Sequence, residues 1–184
     1  MKSHIRFDAG AMLLLGVICF TLKWNEIAAL LTAAAVHELG HLISLVISGY
    51  PPNELIFTIS GPVLNYPEPN SCGITMIAAL AGPAAGLLLA VILRRSWPLC
   101  AEMSFLLSVS NLLPVLPLDG GRMLLAMGTP KIYRLLSVLG VSVPLLVLLL
   151  GLVLTIQGQN GFGILMFGAW LMLLSCQESQ FDVK

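Results

Sequence analysis

Val36-His37-Glu38-Leu39-Gly40-His41-Leu42 is the stretch that decides how the chain is read. It is an H-E-x-x-H pattern inside an apolar run, flanked by Ile27 to Val36 on one side and Leu42 to Ile47 on the other. On a helix, residues four apart stand about 40° apart around the axis and about 6 Å apart along it, so both imidazoles can reach one metal ion. Glu38, one step round from His37, can approach a water on that metal and take its proton, the chemistry this spacing serves. A short polar patch on a soluble helix is the plainer alternative. The apolar flanks argue against it, because a charged side chain at the centre of a bilayer costs roughly 2.5 to 3.5 kcal/mol. His37, Glu38 and His41 therefore call for a compensating partner, and a bound cation is one.

Composition points the same way. Of 184 residues, 58% are apolar and 10% are charged, against about 25% charged in an ordinary soluble domain. This is the composition of a membrane protein. Zero formal net charge, with no basic cluster beyond Arg94-Arg95, argues against a nucleic-acid-binding face. Cys19, Cys72, Cys100 and Cys176 are far apart and form no C-x-x-C, so they read as small buried apolar residues rather than disulfides or thiolate ligands. The chain has 3 histidines, His4, His37 and His41, and two of them fall in the motif.

The expected fold class is an all-α multi-pass membrane protein with about six transmembrane helices. Ala9 to Leu22 is a short first span that leads into Lys23-Trp24, an interfacial anchor. The second runs from Ile27 to about Ser48 and is broken by Gly49-Tyr50-Pro51-Pro52-Asn53. Between Glu54 and Asn70 helical periodicity is lost, and Ile56-Phe57-Thr58-Ile59, Ser60-Gly61-Pro62 and Val63-Leu64 fit either a small membrane-associated β-hairpin between helices 2 and 3 or an ordinary loop. Ser71 to Leu93 is the clearest span and ends at Arg94-Arg95. Its Ala81-Gly82-Pro83-Ala84-Ala85-Gly86 segment reads as a packing surface to which no chemistry need be assigned. Leu99 to Leu118 forms the fourth, its last turns bent or unwound by Pro114 and Pro117. Met123 to Pro130 is a short interfacial piece. From Leu135 to Gln177 no residue is charged, and Gln157-Gly158-Gln159-Asn160-Gly161 divides that run into a fifth span, about Leu135 to Ile156, and a short sixth.

Six spans place both termini on one side. With the ends inside, Lys2, Arg6, Arg122, Lys131, Arg134 and Lys184 are cytoplasmic, and Lys23, Arg94 and Arg95 are outside, a bias that favours a cell-membrane protein with cytoplasmic termini. The second span then runs inward, leaving His41 about 10 Å from its inner end. The fourth span also runs inward, ending near Asp119.

A catalytic zinc normally takes three protein ligands and a water, so two histidines need a third partner. Apart from Glu38, the carboxylates within or beside a span are Glu102 and Asp119. Glu102 lies about 25 Å from Asp119 along the helix, towards the opposite face, which makes Asp119 the better candidate. A turn aspartate in Asp-Gly-Gly is its plain alternative.

His37-Glu38-Leu39-Gly40-His41, followed by Asp119 within Asn111-x-x-Pro114-x-x-Pro117-Leu118-Asp119-Gly120, resembles the site-2 protease family of intramembrane zinc metalloproteases. The nearest similarity is to the sporulation-type branch, which processes a membrane-tethered pro-sigma factor. The resemblance covers roughly spans two to four, a catalytic core of about 27–122 in a single domain of 1–184. It implies that His37, His41 and Asp119 are zinc ligands, that Glu38 is the general base, and that Asn111 positions substrate or stabilises the oxyanion. It also implies a membrane-tethered protein substrate, hydrolysed by regulated intramembrane proteolysis, and room for a membrane regulatory partner. A substrate helix must unwind before it is cut, and an edge strand at Ile56 to Ile59 is expected to satisfy its freed backbone by β-addition. No PDZ domain of one branch and no CBS domain of the sporulation-type branch is expected within 1–184, which is either a minimal member or a longer protein cut at about Lys184. Two other classes fit the same residues: a proteolytically inactive metal-binding scaffold, against which Glu38 counts, and a metal-ion or solute transporter, which leaves Glu38 between two histidines unexplained.

Overall fold

The computed structural model describes residues 4–7, 12, 16, 19–58, 61–67, 69, 71–159 and 161–179. Most of the expected first span, 9–22, lies outside the described residues. The chain divides into two compact units, Met1–Leu112 and Leu113–Lys184.

Among the described elements, the first unit holds a small sheet and three helices. Helix α1, Trp24–Ile47, opens where the Glu26 carboxylate accepts the Lys23 backbone N–H at 2.8 Å, satisfying one donor that a helix start leaves over. It closes at Gly49, whose φ of 84° lets the Tyr50 amide turn back to the Leu45 carbonyl at 2.9 Å, a turn that side chains with a Cβ resist. Helices α2, Cys72–Leu93, and α3, Pro98–Asn111, follow.

Ala29, Ala33, His37 and Leu45 are the buried residues of one i, i+4 row on α1, so the metal-binding pattern falls on the helix's packing face rather than its outer one. Small residues let the backbones close up. A Cβ on Gly40 would lie 2.5 Å from the Ala81 carbonyl oxygen and 2.9 Å from the Ala85 methyl, which fixes how near α1 and α2 run. On α3 the inward row is Cys100, Ser104 and Ser108, all fully buried. The Ser108 hydroxyl donates to the Ser104 carbonyl at 2.8 Å, and the Cys100 thiol points to the Ala29 carbonyl at 3.7 Å. Cys100 is thus buried as expected, whereas Cys19 and Cys72 are exposed. An outward thiol costs little where the surrounding solvent is itself apolar.

Strands β1, His4–Phe7, β2, Glu54–Thr58, and β3, Gly61–Asn65, form one mixed sheet in that order. β2 pairs parallel with β1, His4 opposite Glu54, and antiparallel with β3, Glu54 opposite Asn65. In place of a two-stranded hairpin between two helices there are two strands of a three-stranded sheet, and the joining residues 59 and 60 lie outside the described residues. The expected edge strand, Ile56 to Ile59, is also corrected. Over Glu54–Thr58 it is the central strand, its backbone groups already engaged on both sides, so it cannot take up a further strand without losing a neighbour.

The second unit holds α4, Asp119–Leu125, α5, Pro130–Ile156, and α6, Phe162–Ser179. Val115, Leu118 and Leu171 are its buried core, with Leu113, Val143, Phe167 and Trp170 packed round them.

By length and composition, three of the described helices can cross a membrane: α1, α2 and α5. That is fewer than six full spans. The expected fourth span stops at Asn111 because Pro114 and Pro117 offer no N–H to continue it, and its 14 residues rise about 21 Å where a hydrocarbon core needs about 30 Å. The expected interfacial piece at Met123 to Pro130 begins earlier, since Asp119–Leu125 is already helical. The outward faces are apolar, with Leu31, Ile43 and Ile47 of α1, Val91 and Ile92 of α2 and Leu146 and Leu150 of α5 all exposed. The architecture is a mostly helical one whose long helices turn hydrophobic side chains outward, as lipid requires.

Gly40→Ala and Gly86→Ala separate two kinds of close approach. At Gly40 the obstacle is backbone, so the added methyl forces the helices apart, at about 1–3 kcal/mol. At Gly86 it meets the Ser108 hydroxyl, which can turn away by giving up one hydrogen bond, worth roughly 0.5–1.5 kcal/mol. Both substitutions gain the same helix propensity. Thermal unfolding in detergent should show the lower midpoint for Gly40→Ala.

Candidate metal centre

His37 and His41 are one turn apart on the packing face of α1, and the fold brings their Nε2 atoms to 3.2 Å of each other. The rings meet edge-on, with centroids 4.9 Å apart and planes at 77°. His41 is oriented from α2: its Nδ1 lies 2.7 Å from the Ala78 carbonyl oxygen. A carbonyl only accepts, so Nδ1 carries the hydrogen and Nε2 presents its lone pair towards His37. Two nitrogens bound at about 2.0–2.1 Å to a tetrahedral ion stand about 3.3–3.4 Å apart. The observed separation matches such an ion, and a ring N–H held by a backbone carbonyl is the usual outer support of a metal-ligating histidine.

Gly82 makes room for this ring. A Cβ there would overlap the His41 imidazole, so α2 can press against the histidine only because that position has no side chain. The Ala81-Gly82-Pro83 segment therefore has a role beyond helix packing: it supports a candidate ligand. Its signal in the sequence is the Gly-Pro pair in an apolar helix, but which histidine it would face could not be read from spacing.

Glu38 is half-buried and lies between the histidines on α1, about 100° round from His37. Asn111 is the last residue of α3, and its amide donates to the Leu107 carbonyl at 2.9 Å, so one of its two N–H groups is committed to its own helix. Glu102, the other carboxylate considered, is exposed on α3.

In the second unit Asp119 is the first residue of α4 and is buried, at 8% exposure. A carboxylate at a helix N-terminus is favoured by the dipole and the unsatisfied amides there. The segment before it is pinned by its apolar residues, Val115 and Leu118, which are part of the second unit's core. Gly121 completes the fit, for a Cβ there would lie 2.6 Å from the Val115 carbonyl oxygen. The Pro-rich stretch is thus a packed loop that presents Asp119 in a set position.

Among solved structures, the same architecture is found in the site-2 protease from Methanocaldococcus jannaschii, with a TM-score of 0.73 at 20% identity over 97% of this chain and 92% of that one. The fold is that of a site-2 protease. No protein-family model and no curated protein matches the chain. The likeness is to an archaeal site-2 protease, and it lends no support to the sporulation-type branch in particular. At this identity it is a likeness of fold, and residue roles rest on the geometry above.

Gly82→Ala should displace the His41 ring and lower the affinity for a divalent metal ion by about 10- to 100-fold, the usual cost of losing a ligand's outer support. Chelator competition measures it, with circular dichroism confirming that helix content is unchanged.

Proposed function

We propose that this chain is an intramembrane zinc metalloprotease of site-2 protease type, which hydrolyses peptide bonds of membrane-tethered proteins. The observation that carries the reading is the His37–His41 pair, with Nε2 atoms 3.2 Å apart on a helix long and apolar enough to cross a membrane. Two imidazoles and a carboxylate form a donor set that fits zinc, and the chain offers His37 and His41 on α1 and a buried Asp119 at the head of α4. The fold shared with the archaeal site-2 protease supports the same reading.

In this mechanism His37, His41 and Asp119 are the metal ligands. A zinc ion held there supplies Lewis-acid activation of water and of the scissile carbonyl. Glu38 accepts the proton of the attacking water and delivers it to the leaving nitrogen, which general acid–base catalysis values at about 10²–10⁴ in rate. Asn111, whose second N–H is not needed by Leu107, hydrogen-bonds the substrate carbonyl. The substrate's transmembrane segment unwinds before cleavage, because a helical carbonyl is engaged in its own hydrogen bond. The termini lie on the cytoplasmic side, and a membrane partner regulates access.

The test is cleavage of a single-span tethered protein in proteoliposomes, with zinc content measured on the same samples. Glu38→Gln should keep its zinc and lose about 10²–10⁴ in rate. Asp119→Asn should lose both zinc and activity. Asn111→Ala should keep zinc and lose about 10²–10³ in rate if its amide serves the oxyanion. Full biological activity of Glu38→Gln with no cleavage by wild type would replace the protease with a metal-binding scaffold, and metal flux into the liposomes without cleavage would replace it with a transporter.

A further inference from the structure

A groove of about 430 Å3 lies between the C-terminal end of α2 and the start of α3. Leu87, Ala90 and Val91 form one wall, and Ala101 and Phe105 form the other. Its size is within the range of small-molecule sites. Two charged side chains complete it, Arg94 and Glu102, both exposed, and among the described residues no ion pair joins them.

The position of this groove is set by α2. That helix is apolar enough to span a bilayer and ends at Leu93, so Arg94 and Arg95 stand where hydrocarbon gives way to headgroups. Trp97 follows in the turn, an amphipathic ring of the kind that collects at that boundary. The apolar walls then run from the headgroup level into the hydrocarbon. A cation and an anion share the mouth, and a greasy channel lies below.

We infer that this groove is a binding site for phosphatidylethanolamine. One acyl chain lies along Leu87, Val91 and Phe105, the phosphate pairs with the Arg94 guanidinium, and the primary ammonium donates to the Glu102 carboxylate. The opposite charges at the mouth match a zwitterionic headgroup. An anionic headgroup such as phosphatidylglycerol satisfies Arg94 but is repelled by Glu102. Phosphatidylcholine carries the same charges, yet its quaternary ammonium has no N–H to give the carboxylate. The site is independent of the metal centre, and the inference requires a membrane but not proteolysis.

Native mass spectrometry of the delipidated, detergent-solubilised chain tests it, with palmitoyl-oleoyl phosphatidylethanolamine, phosphatidylcholine and phosphatidylglycerol added separately. Wild type should retain phosphatidylethanolamine over phosphatidylcholine by about fivefold, near the most an exposed ion pair supplies. Glu102→Gln should erase that preference, Arg94→Gln should weaken both lipids, and Ala90→Phe, which fills the groove, should weaken all three. Equal retention of phosphatidylethanolamine and phosphatidylcholine by wild type would overturn the assignment. So would strongest retention of phosphatidylglycerol, or unchanged binding in the three variants.

Discussion

The hydrogen bond from His41 Nδ1 to the Ala78 carbonyl is the constraint on which the first unit's chemistry depends. It joins α1 to α2 at 2.7 Å and sets which nitrogen of the ring carries hydrogen. It also turns the other nitrogen towards His37. A polar ring buried in an apolar helix needs such a partner, since an unsatisfied group there costs several kcal/mol. The requirement spreads outward: Gly82 must lack a side chain to admit the ring, and Gly40 must lack one to let the two backbones approach. Residues that look like simple packing material in α1 and α2 are there because a histidine has to be reached from the neighbouring helix.

The second unit solves a different problem, how to hold a carboxylate still on a segment that cannot be regular helix. Pro114 and Pro117 stop the chain from continuing α3, and the stretch that follows would be mobile if it were polar. It is instead anchored by Val115 and Leu118 against Leu171, and Gly121 lets the first turn of α4 lie close against Val115. Asp119 is the outcome, a buried acid at the head of a short helix, where the backbone amides favour its charge. The sheet has a comparable economy of pairing: β1 takes one side of β2 and β3 the other, which leaves only the outer strands with open edges.

The outer faces explain why so apolar a chain can still carry specific polar sites. Small and weakly polar side chains such as Ala29, Ala33, Cys100, Ser104 and Ser108 point inward, while many of the larger ones, Leu31, Ile43, Val91 and Leu146 among them, point out. Such a protein is held together by close backbone approach and by hydrogen bonds, not by driving hydrocarbon away from water. On the helices, charged residues gather towards the ends or in the metal-binding pattern, and Arg94 and Glu102, at and just after the turn between α2 and α3, are an instance of the first.

Local sequence alone determined the membrane character, the spans of α1 and α2 to within a few residues, the Gly49 and proline breaks, and the histidine pair with Glu38 between them. These depend on hydropathy over one helix length or on i, i+4 spacing, and neither needs a neighbour. Tertiary structure decided the rest. That β2 is central required β1, a strand from the far N-terminal end of the chain whose pairing no periodicity near Glu54 could reveal. That Gly82 is the cradle for His41, and Ala78 the source of its orienting carbonyl, depended on how α1 and α2 rotate and slide against each other. Backbone hydrogen bonding repeats identically along a helix, so only side-chain packing between helices could select which carbonyl of α2 the ring would meet.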